Sequence, residues 1–375
     1  MNNIKQRVAG PKDAFSLIRL FQIGSGSKGY RDPLFSHYKP LQDLLGRDNS
    51  ICCVSDKDGE IVACCLFLLD EANRLCKIHW MNRDPSLKDS REILRDTLRF
   101  ALDYLKDSSR KADIIYSTTR NISFKQQEIT LELGFKVLGI FPTEISAEPS
   151  RINGLTAYFF GGILNNKRRA KFSLHPVVKP FFDIVRQQCR LPDIAVNKKV
   201  PAFSLNVKPL PVLEIIYAPN YVRQMFHRLR ESGALASKLY PFQRPNALIT
   251  DPFQKIRIFL KIIPEIRFAE IIGEHLTVPV NPVEFYSRIS QMLYDRNISY
   301  IELINDAADV VGIDCILKAG FIPCGYFPAL EKYGSYRRDY VIFSKAFENY
   351  SPPSAYKINE AYLKYSKEYR KLLKR

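Results

Sequence analysis

No apolar stretch free of charged residues approaches the ~18–20 residues that a membrane span requires, so no transmembrane segment is expected. The opening residues, MNNIKQRVAGPKDAF, contain no continuous apolar run, which argues against a secretory signal and points to the cytoplasm. Cysteine occurs eight times (Cys52, Cys53, Cys64, Cys65, Cys76, Cys189, Cys315, Cys324) but never as Cys-x-x-Cys, and the five histidines are scattered. A metal site is therefore not expected. Most of these cysteines sit in Val/Ile/Leu-rich runs, which suits buried free thiols in a reducing compartment. Acidic residues are outnumbered, 39 against 56 Lys and Arg, for a formal charge of +17. Such a field attracts anions: nucleic acid, phosphorylated cofactors, acidic proteins or anionic lipid. It does not choose among them.

What is present is a long and apolar chain. Its 375 residues are 46% hydrophobic and 12% aromatic, too apolar for disorder and too long for one ordinary domain. At about 150 residues per domain, two are expected.

The first 160 residues alternate between helix and strand patterns. A short helix over about 12–22 carries Phe15, Ile18, Leu20 and Phe21 and runs into the small-residue loop Gly24–Gly29. A P-loop would need a preceding strand and a Gly-Lys-Ser/Thr opening a helix. Here a helix precedes and Lys28 is followed by glycine, so a substrate loop is the better reading. Strand patterns at Ile51–Val54 and Ile61–Leu69 flank Asp56-Lys57-Asp58-Gly59, a hairpin turn signal. Leu75–Met81 reads as another strand. Leu94, Leu98, Ala101, Leu102 and Leu105 then follow the 3.6-residue helical period, with Asp89 or Ser90 as cap. A strand at Ile114–Thr119, a helix at Phe124–Leu133 and a strand at Phe135–Phe141 complete the series.

Residues 165–210 change character. Prolines recur there, and 165–200 hold nine basic against two acidic side chains, which reads as an interdomain connection with some helix near Phe181–Gln188. From about 211 the alternation resumes. The predicted strands are Leu213–Tyr217, Ile256–Ile263, Phe268–Ile272, Tyr300–Ile304, Phe321–Phe327 and Tyr340–Phe347. The predicted divisions are 1–164, 165–210, 211–350 and a basic tail helix over 351–375. Tyr356 to Arg375 carries seven basic and two acidic residues, the pattern of a solvated helix or one that docks an acidic partner.

One internal match stands out. Gly134-Phe135-Lys136-Val137-Leu138-Gly139-Ile140-Phe141-Pro142 and Gly320-Phe321-Ile322-Pro323-Cys324-Gly325-Tyr326-Phe327-Pro328 both fit G-F-x-x-x-G-x-F-P, 186 residues apart. Each follows a β-rich run and a helix of about ten residues. Two domains of one fold are expected.

A helical start, a β-hairpin, a strand, a long helix, a strand, a short helix ending in Leu133-Gly134-Phe135 and a last strand pair resemble the GNAT superfamily of acyl-CoA-dependent N-acyltransferases. The resemblance covers about 10–160 well and 211–350 through the repeat. Ile115 to Ser123 looks like the strand-to-helix segment of the bacterial β-lysine acetyltransferase type, with Ser123 at the place of that family's serine. The resemblance implies an α/β (α+β) fold of two tandem GNAT-like domains, each a mixed, mostly antiparallel sheet flanked by helices. It also implies two parallel strands that splay to take the pantetheine arm of an acetyl-CoA or other acyl-CoA, and a diphosphate on the N-terminus of the long helix.

The matching cofactor-binding positions are Met81, Asn82, Lys88, Ser90 and Arg91. The family's two glycines before that helix are missing: Asp84-Pro85-Ser86-Leu87-Lys88-Asp89-Ser90-Arg91 stands there, with Lys88 at the family's basic position and Arg91 in place of a glycine. Its frequent tyrosine acid is replaced by Thr130 in the first copy and Ile316 in the second. His79, on the strand beside the expected thioester, is the candidate base, because a free imidazole titrates near neutrality. Ser123 and Glu128 are the other catalytic candidates, and Arg120 the substrate-binding one; their plainer readings are a helix cap, an exposed helix glutamate and a surface ion pair. For His79 the plainer reading is packing beside Trp80. Arg337-Arg338-Asp339 reads as structural or partner-binding.

The expected activity is transfer of an acyl group from CoA to a primary amine of a small molecule or peptide, with a degenerate second domain and no metal. The rivals are a non-catalytic binding or regulatory protein and a transferase dependent on acyl carrier protein or aminoacyl-tRNA. An acidic carrier protein suits the charge, and nucleic acid is the less favoured partner.

Overall fold

The computed structural model describes residues 4–25, 34, 37–107, 112–118, 124–142, 154–201, 207, 209–236, 242–347 and 360–374. The chain divides into two compact units, one of Met1–Lys136 with Leu155–Ile163, the other of Val137–Gly154 with Leu164–Arg375. Each contains a mixed, mostly antiparallel sheet flanked by helices, the fold class expected from the sequence.

In the first unit the chain runs β1 (Ile4–Val8), α1 (Ala14–Ser25), α2 (Tyr38–Leu45), β2 (Ser50–Lys57), β3 (Glu60–Asp70), β4 (Leu75–Arg83), α3 (Ser90–Asp107), β5 (Ile114–Thr118) and α4 (Phe124–Glu132). After β6 (Lys136–Ile140), which falls almost wholly in the second unit, β7 (Gly154–Phe159) completes the sheet. Its order is β1-β2-β3-β4-β5-β7, antiparallel throughout except for the parallel pair β4/β5.

The expected hairpin joins β2 to β3. Asp58 and Gly59 both have positive φ, 54° and 90°, which a two-residue turn matched to the strand twist needs. Helices cover both faces, so β2 and β3 are apolar along nearly their whole length. On one face Leu17, Leu20 and Phe21 of α1 and Leu41 of α2 pack on Cys52, Val54, Cys64 and Leu66. On the other, Leu94, Leu98, Ala101 and Leu105 of α3 pack on Cys53, Cys65, Phe67 and Ile78. This is the stripe read from the period. All eight cysteines are free, and burial pushes the Cys53 and Cys64 thiols up to about 12. They are packing groups, not nucleophiles.

The second unit holds α5 (Lys179–Cys189), β8 (Glu214–Ile216), α6 (Pro219–Glu231), β9 (Ala247–Thr250), β10 (Ile256–Ile263), β11 (Phe268–Leu276), α7 (Pro282–Tyr294), β12 (Tyr300–Asp306), α8 (Val310–Lys318), β13 (Ile322–Tyr333), β14 (Tyr336–Ala346) and α9 (Glu360–Leu373). Its sheet runs β8-β9-β10-β11-β12-β14-β13-β6, again with one parallel pair, β11/β12. The strand order β8-β9-β10-β11-β12-β14 reproduces β1-β2-β3-β4-β5-β7.

The repeated motif has a physical reason at each glycine. Gly134 and Gly320 follow α4 and α8 with φ of +95° and +86°, a backbone that side chains rarely adopt. Gly139 and Gly325 are register partners of β6 and β13 inside the second unit. A Cβ on Gly139 would lie 2.6 Å from the Gly325 Cα, so the strands approach this closely only without one.

Four features were not legible as such. β1 and β9 carry no strand prediction. The basic segment 165–210, read as a connection, is built into the second unit where it is described: Phe181 and Phe182 are fully buried and Arg169 pairs with Asp339. That carboxylate also accepts from the Tyr326 hydroxyl (2.5 Å) and the Ala329 amide (2.8 Å), while Arg337 donates to the Ala329 and Leu330 carbonyls. Arg337 and Asp339 are thus structural. Finally, α9 is not a solvated helix. Tyr362, Tyr365 and Tyr369 are buried, and the Tyr365 hydroxyl donates to the Val137 carbonyl at 3.0 Å.

Candidate functional site

The parallel pair of the first unit is shorter than β4 itself. β4 and β5 pair in parallel through Leu75/Ile114, Cys76/Ile115, Lys77/Tyr116 and Ile78/Ser117. Among the described residues the pairing stops there, although β4 continues to Arg83. At the same level β3 pairs Leu66 with Trp80 and Phe67 with Ile78, which leaves His79 as an extra residue on β4. A bulge of this kind re-aims a side chain and bends the strand away from its neighbour. The half-buried His79 therefore stands just beyond the last described pair of β4 with β5, which gives the vertex of the site.

The other expected residues fall around this opening in different states. Met81 is in the core under α3. Asn82 is buried, donates to the Leu20 carbonyl (3.2 Å) and accepts from the Arg83 amide (2.8 Å), so it ties the end of β4 to α1. Ser90, buried at the start of α3, accepts from Arg83 Nη1 at 2.5 Å. Lys88 is exposed in the preceding loop, whose Asp84 is engaged by Ser86. Arg91 pairs with Glu132 rather than facing that loop, and with Glu128 also close its guanidinium is held above its ordinary range. Glu128 thus belongs to an ion cluster between α3 and α4. Ser123, Arg120 and the loop residues 26–29 lie outside the described residues. Trp80 packs on Phe21 with ring centroids 4.5 Å apart.

Two residues not singled out from the sequence share the vertex. Ser117 is the last β5 residue paired with β4, and its β7 partner is Thr156. Both are fully buried, and neither Oγ of Ser117 nor Oγ1 of Thr156 has a hydrogen-bond partner. The alternation of the strands puts them on the face of Ile115 and Tyr158, toward the α3/α4 side. On the buried side of α4, one turn apart, are Gln127 and Thr130, and the Thr130 hydroxyl donates to the Gln127 carbonyl at 2.7 Å. Serine and threonine in a strand look ordinary in sequence; register alone makes them neighbours.

The second unit answers each of these features differently. β11 and β12 part after Ile271/Leu303, and the extra residue there is Ile272, packed beneath α6. The edge beyond it is already taken, because Ala236 exchanges both backbone hydrogen bonds with Glu274 (2.8 and 3.1 Å). Tyr286 of α7 donates to the Glu274 carboxylate at 2.8 Å. The 186-residue offset of the motif carries Ser117, Gln127 and Thr130 to Leu303, Ile313 and Ile316, and register carries Thr156 to Phe343. All four are buried and apolar. The start of α7 is capped by its own Asn281, with no basic residue in the first turn.

No family model matches the sequence. No curated protein matches it either. Solved structures to which the chain is similar include a probable acetyltransferase from Staphylococcus epidermidis (13% identity, 42% of this chain and 99% of that one, TM-score 0.35). Others are the aminoglycoside 6'-N-acetyltransferase from Enterococcus faecium (14%, 41% and 96%, 0.33) and the PaiA N-acetyltransferase from Thermoplasma acidophilum in complex with coenzyme A (12%, 42% and 99%, 0.32). At such identities and scores these likenesses settle no chemistry.

Proposed function

We propose that the first unit is an N-acyltransferase of the GNAT type that moves an acyl group from a thioester to a primary amine. The observation that carries this reading is that, among the described residues, the parallel pairing of β4 with β5 ends at Ile78/Ser117 while β4 runs on to Arg83, beside a bulge at His79, with α3 opening seven residues after β4 ends. A strand that leaves its neighbour presents backbone N–H and C=O groups that an extended amide-bearing arm can satisfy. In the transfer the amine nitrogen bonds to the thioester carbonyl carbon, the C–S bond breaks and the sulfur leaves as thiolate. His79, directly or through one water, takes the proton that the amine gives up.

The residues fit acyl-CoA unevenly. The separated strands suit the pantetheine arm. The start of α3 offers Lys88 for a diphosphate, but Arg91, which replaces a family glycine, is engaged by Glu132, and Asp84 and Asp89 add negative charge to a loop without either glycine. That crowding, with the charge of +17, favours an acidic acyl carrier protein as the second donor reading. The second unit is proposed to be a degenerate copy of the same fold, shaping the protein rather than reacting, since its strand edge and vertex are filled. The cytoplasm is the proposed compartment and a small molecule or peptide the proposed amine.

Calorimetric titration with CoA tests the donor. Binding by wild type, weakened about tenfold or more by Lys88→Ala, is expected, since a charge-assisted hydrogen bond contributes about 1.5–3 kcal/mol. Loss of CoA binding in wild type, with capture of an acylated carrier protein instead, would move the donor to the second reading.

A further inference from the structure

We propose that the vertex of the first unit selects an acyl chain bearing a neutral hydroxyl group, through Ser117 and Thr156. The inference rests on the thioester reading above and deepens it. Both residues are fully buried, they are direct cross-strand partners, and both side-chain oxygens lack a hydrogen-bond partner. Buried hydroxyls left this way are unfavourable, and apolar replacements of the same shape serve a core at least as well. The second unit makes that replacement. At the matching positions it has Leu303 and Phe343, fully buried, in a sheet of the same strand order. The fold therefore does not require hydroxyls there, and the first unit retains a polar pair beside the last described pairing of β4 with β5.

The chemistry of the pair narrows what it can recognise. Each hydroxyl both donates and accepts, and adjacent register partners bring their Cβ atoms to ~4.5–5.5 Å. A group seated between them can donate to one and accept from the other, as an alcohol does. The unbranched end of a butyryl chain would leave both unmet. A carboxylate or ammonium is disfavoured, because neither residue supplies the opposite charge. The pair sits at the last described pairing of β4 with β5, beside His79, where the proposed thioester carbonyl would lie, so the hydroxyl belongs on the acyl chain rather than on the amine.

The test uses the full chain and two thioesters that differ by one hydroxyl, 3-hydroxybutyryl-CoA and butyryl-CoA, with CoA alone as reference. Calorimetry should show the hydroxylated thioester binding at least about tenfold tighter, and Ser117→Ala with Thr156→Val should abolish that preference while leaving the affinity for CoA unchanged. The double variant without ligand should melt at the same temperature as wild type or higher, because no protein hydrogen bond is lost. Equal affinity for the two thioesters in a protein that binds CoA would overturn the inference and leave the transferase reading standing. A lower melting temperature in the double variant would also overturn it, by showing that the hydroxyls support the free protein. Absence of binding to CoA and to both thioesters would overturn the CoA reading, and this inference with it.

Discussion

His79 in the first unit and Ile272 in the second hold the same place: the extra residue of a bulge, on the strand that enters fourth, where a parallel partner turns away. One is a half-buried imidazole at an opening, the other an isoleucine 1% exposed beneath a helix. Around them the contrast repeats. Ser117, Thr156, Gln127 and Thr130 stand against Leu303, Phe343, Ile313 and Ile316. A polar interior at a strand opening is difficult to maintain, since each buried hydroxyl or amide must find a partner or weaken the fold. The comparison teaches where to look for the proposed chemistry: in the unit that keeps polar residues the other has replaced.

The sharpest way to break the comparison is to remove its two central residues in turn. His79→Ala should lower turnover by about 10²–10⁴-fold, while CoA affinity holds. Ile272→Ala should instead cost about 2–5 kcal/mol of stability with turnover per folded molecule unchanged. Wild-type turnover in His79→Ala would return that histidine to packing beside Trp80. Denaturant titrations of both variants separate the two kinds of loss.

Exchange of interiors should be asymmetric. Leu303→Ser places a hydroxyl and a cavity in a filled core and should destabilise the protein by about 3–5 kcal/mol. Ser117→Ala should fall within about 0.5 kcal/mol of wild type, or stabilise slightly, in the absence of ligand. Equal losses would mean that the polarity of the vertex is incidental.

A smaller effect concerns acid. Burial lowers the pKa of His175 in the second unit, although Asp314 nearby opposes this. A histidine held below its unfolded value binds fewer protons folded than unfolded, so its contribution is present at neutral pH and is lost as pH falls below about 6.5. In the first unit burial tends to raise the pKa of Asp13, but hydrogen bonds from Arg7 and the Gly10 amide prevail and hold it below the ordinary value. Its contribution is kept above the unfolded value and lost only as pH falls through about 4 and lower. Trp80, the single tryptophan, packs in the first unit and reports on it alone. Acid titration should therefore shift far-ultraviolet circular dichroism before Trp80 fluorescence, and His175→Gln should bring the two transitions closer together. A fluorescence change that leads would reverse the order of stability.

What was legible in the sequence follows from how local each signal is. The hairpin at Asp58-Gly59 needs only its turn residues, and α3 needs only its own period; both are where the pattern put them. β1 is an edge strand whose Lys5, Gln6 and Arg7 interrupt an apolar pattern, and β9 spans four residues, too few for a period. α9 was misread because tyrosine counts as half-polar. Tyr362, Tyr365 and Tyr369 nonetheless recur at helical spacing, which was the available signal. The pairing of Ser117 with Thr156, and of Arg169 with Asp339 across 170 positions, depends on tertiary register that no window of sequence contains.

The hydrogen bond from Tyr365 to Val137 spans 228 positions of chain, and that span has a meaning for the growing polypeptide. At about 5–20 residues per second, translation takes roughly 10–45 s to pass from one partner to the other. Through that interval Val137, Leu138, Ile140 and Phe141, all buried in the finished protein, emerge with neither β13 nor α9 yet made. Until β13 is made, their strand lacks its partner in the second unit. On the ribosome it is a segment for holding chaperones to meet.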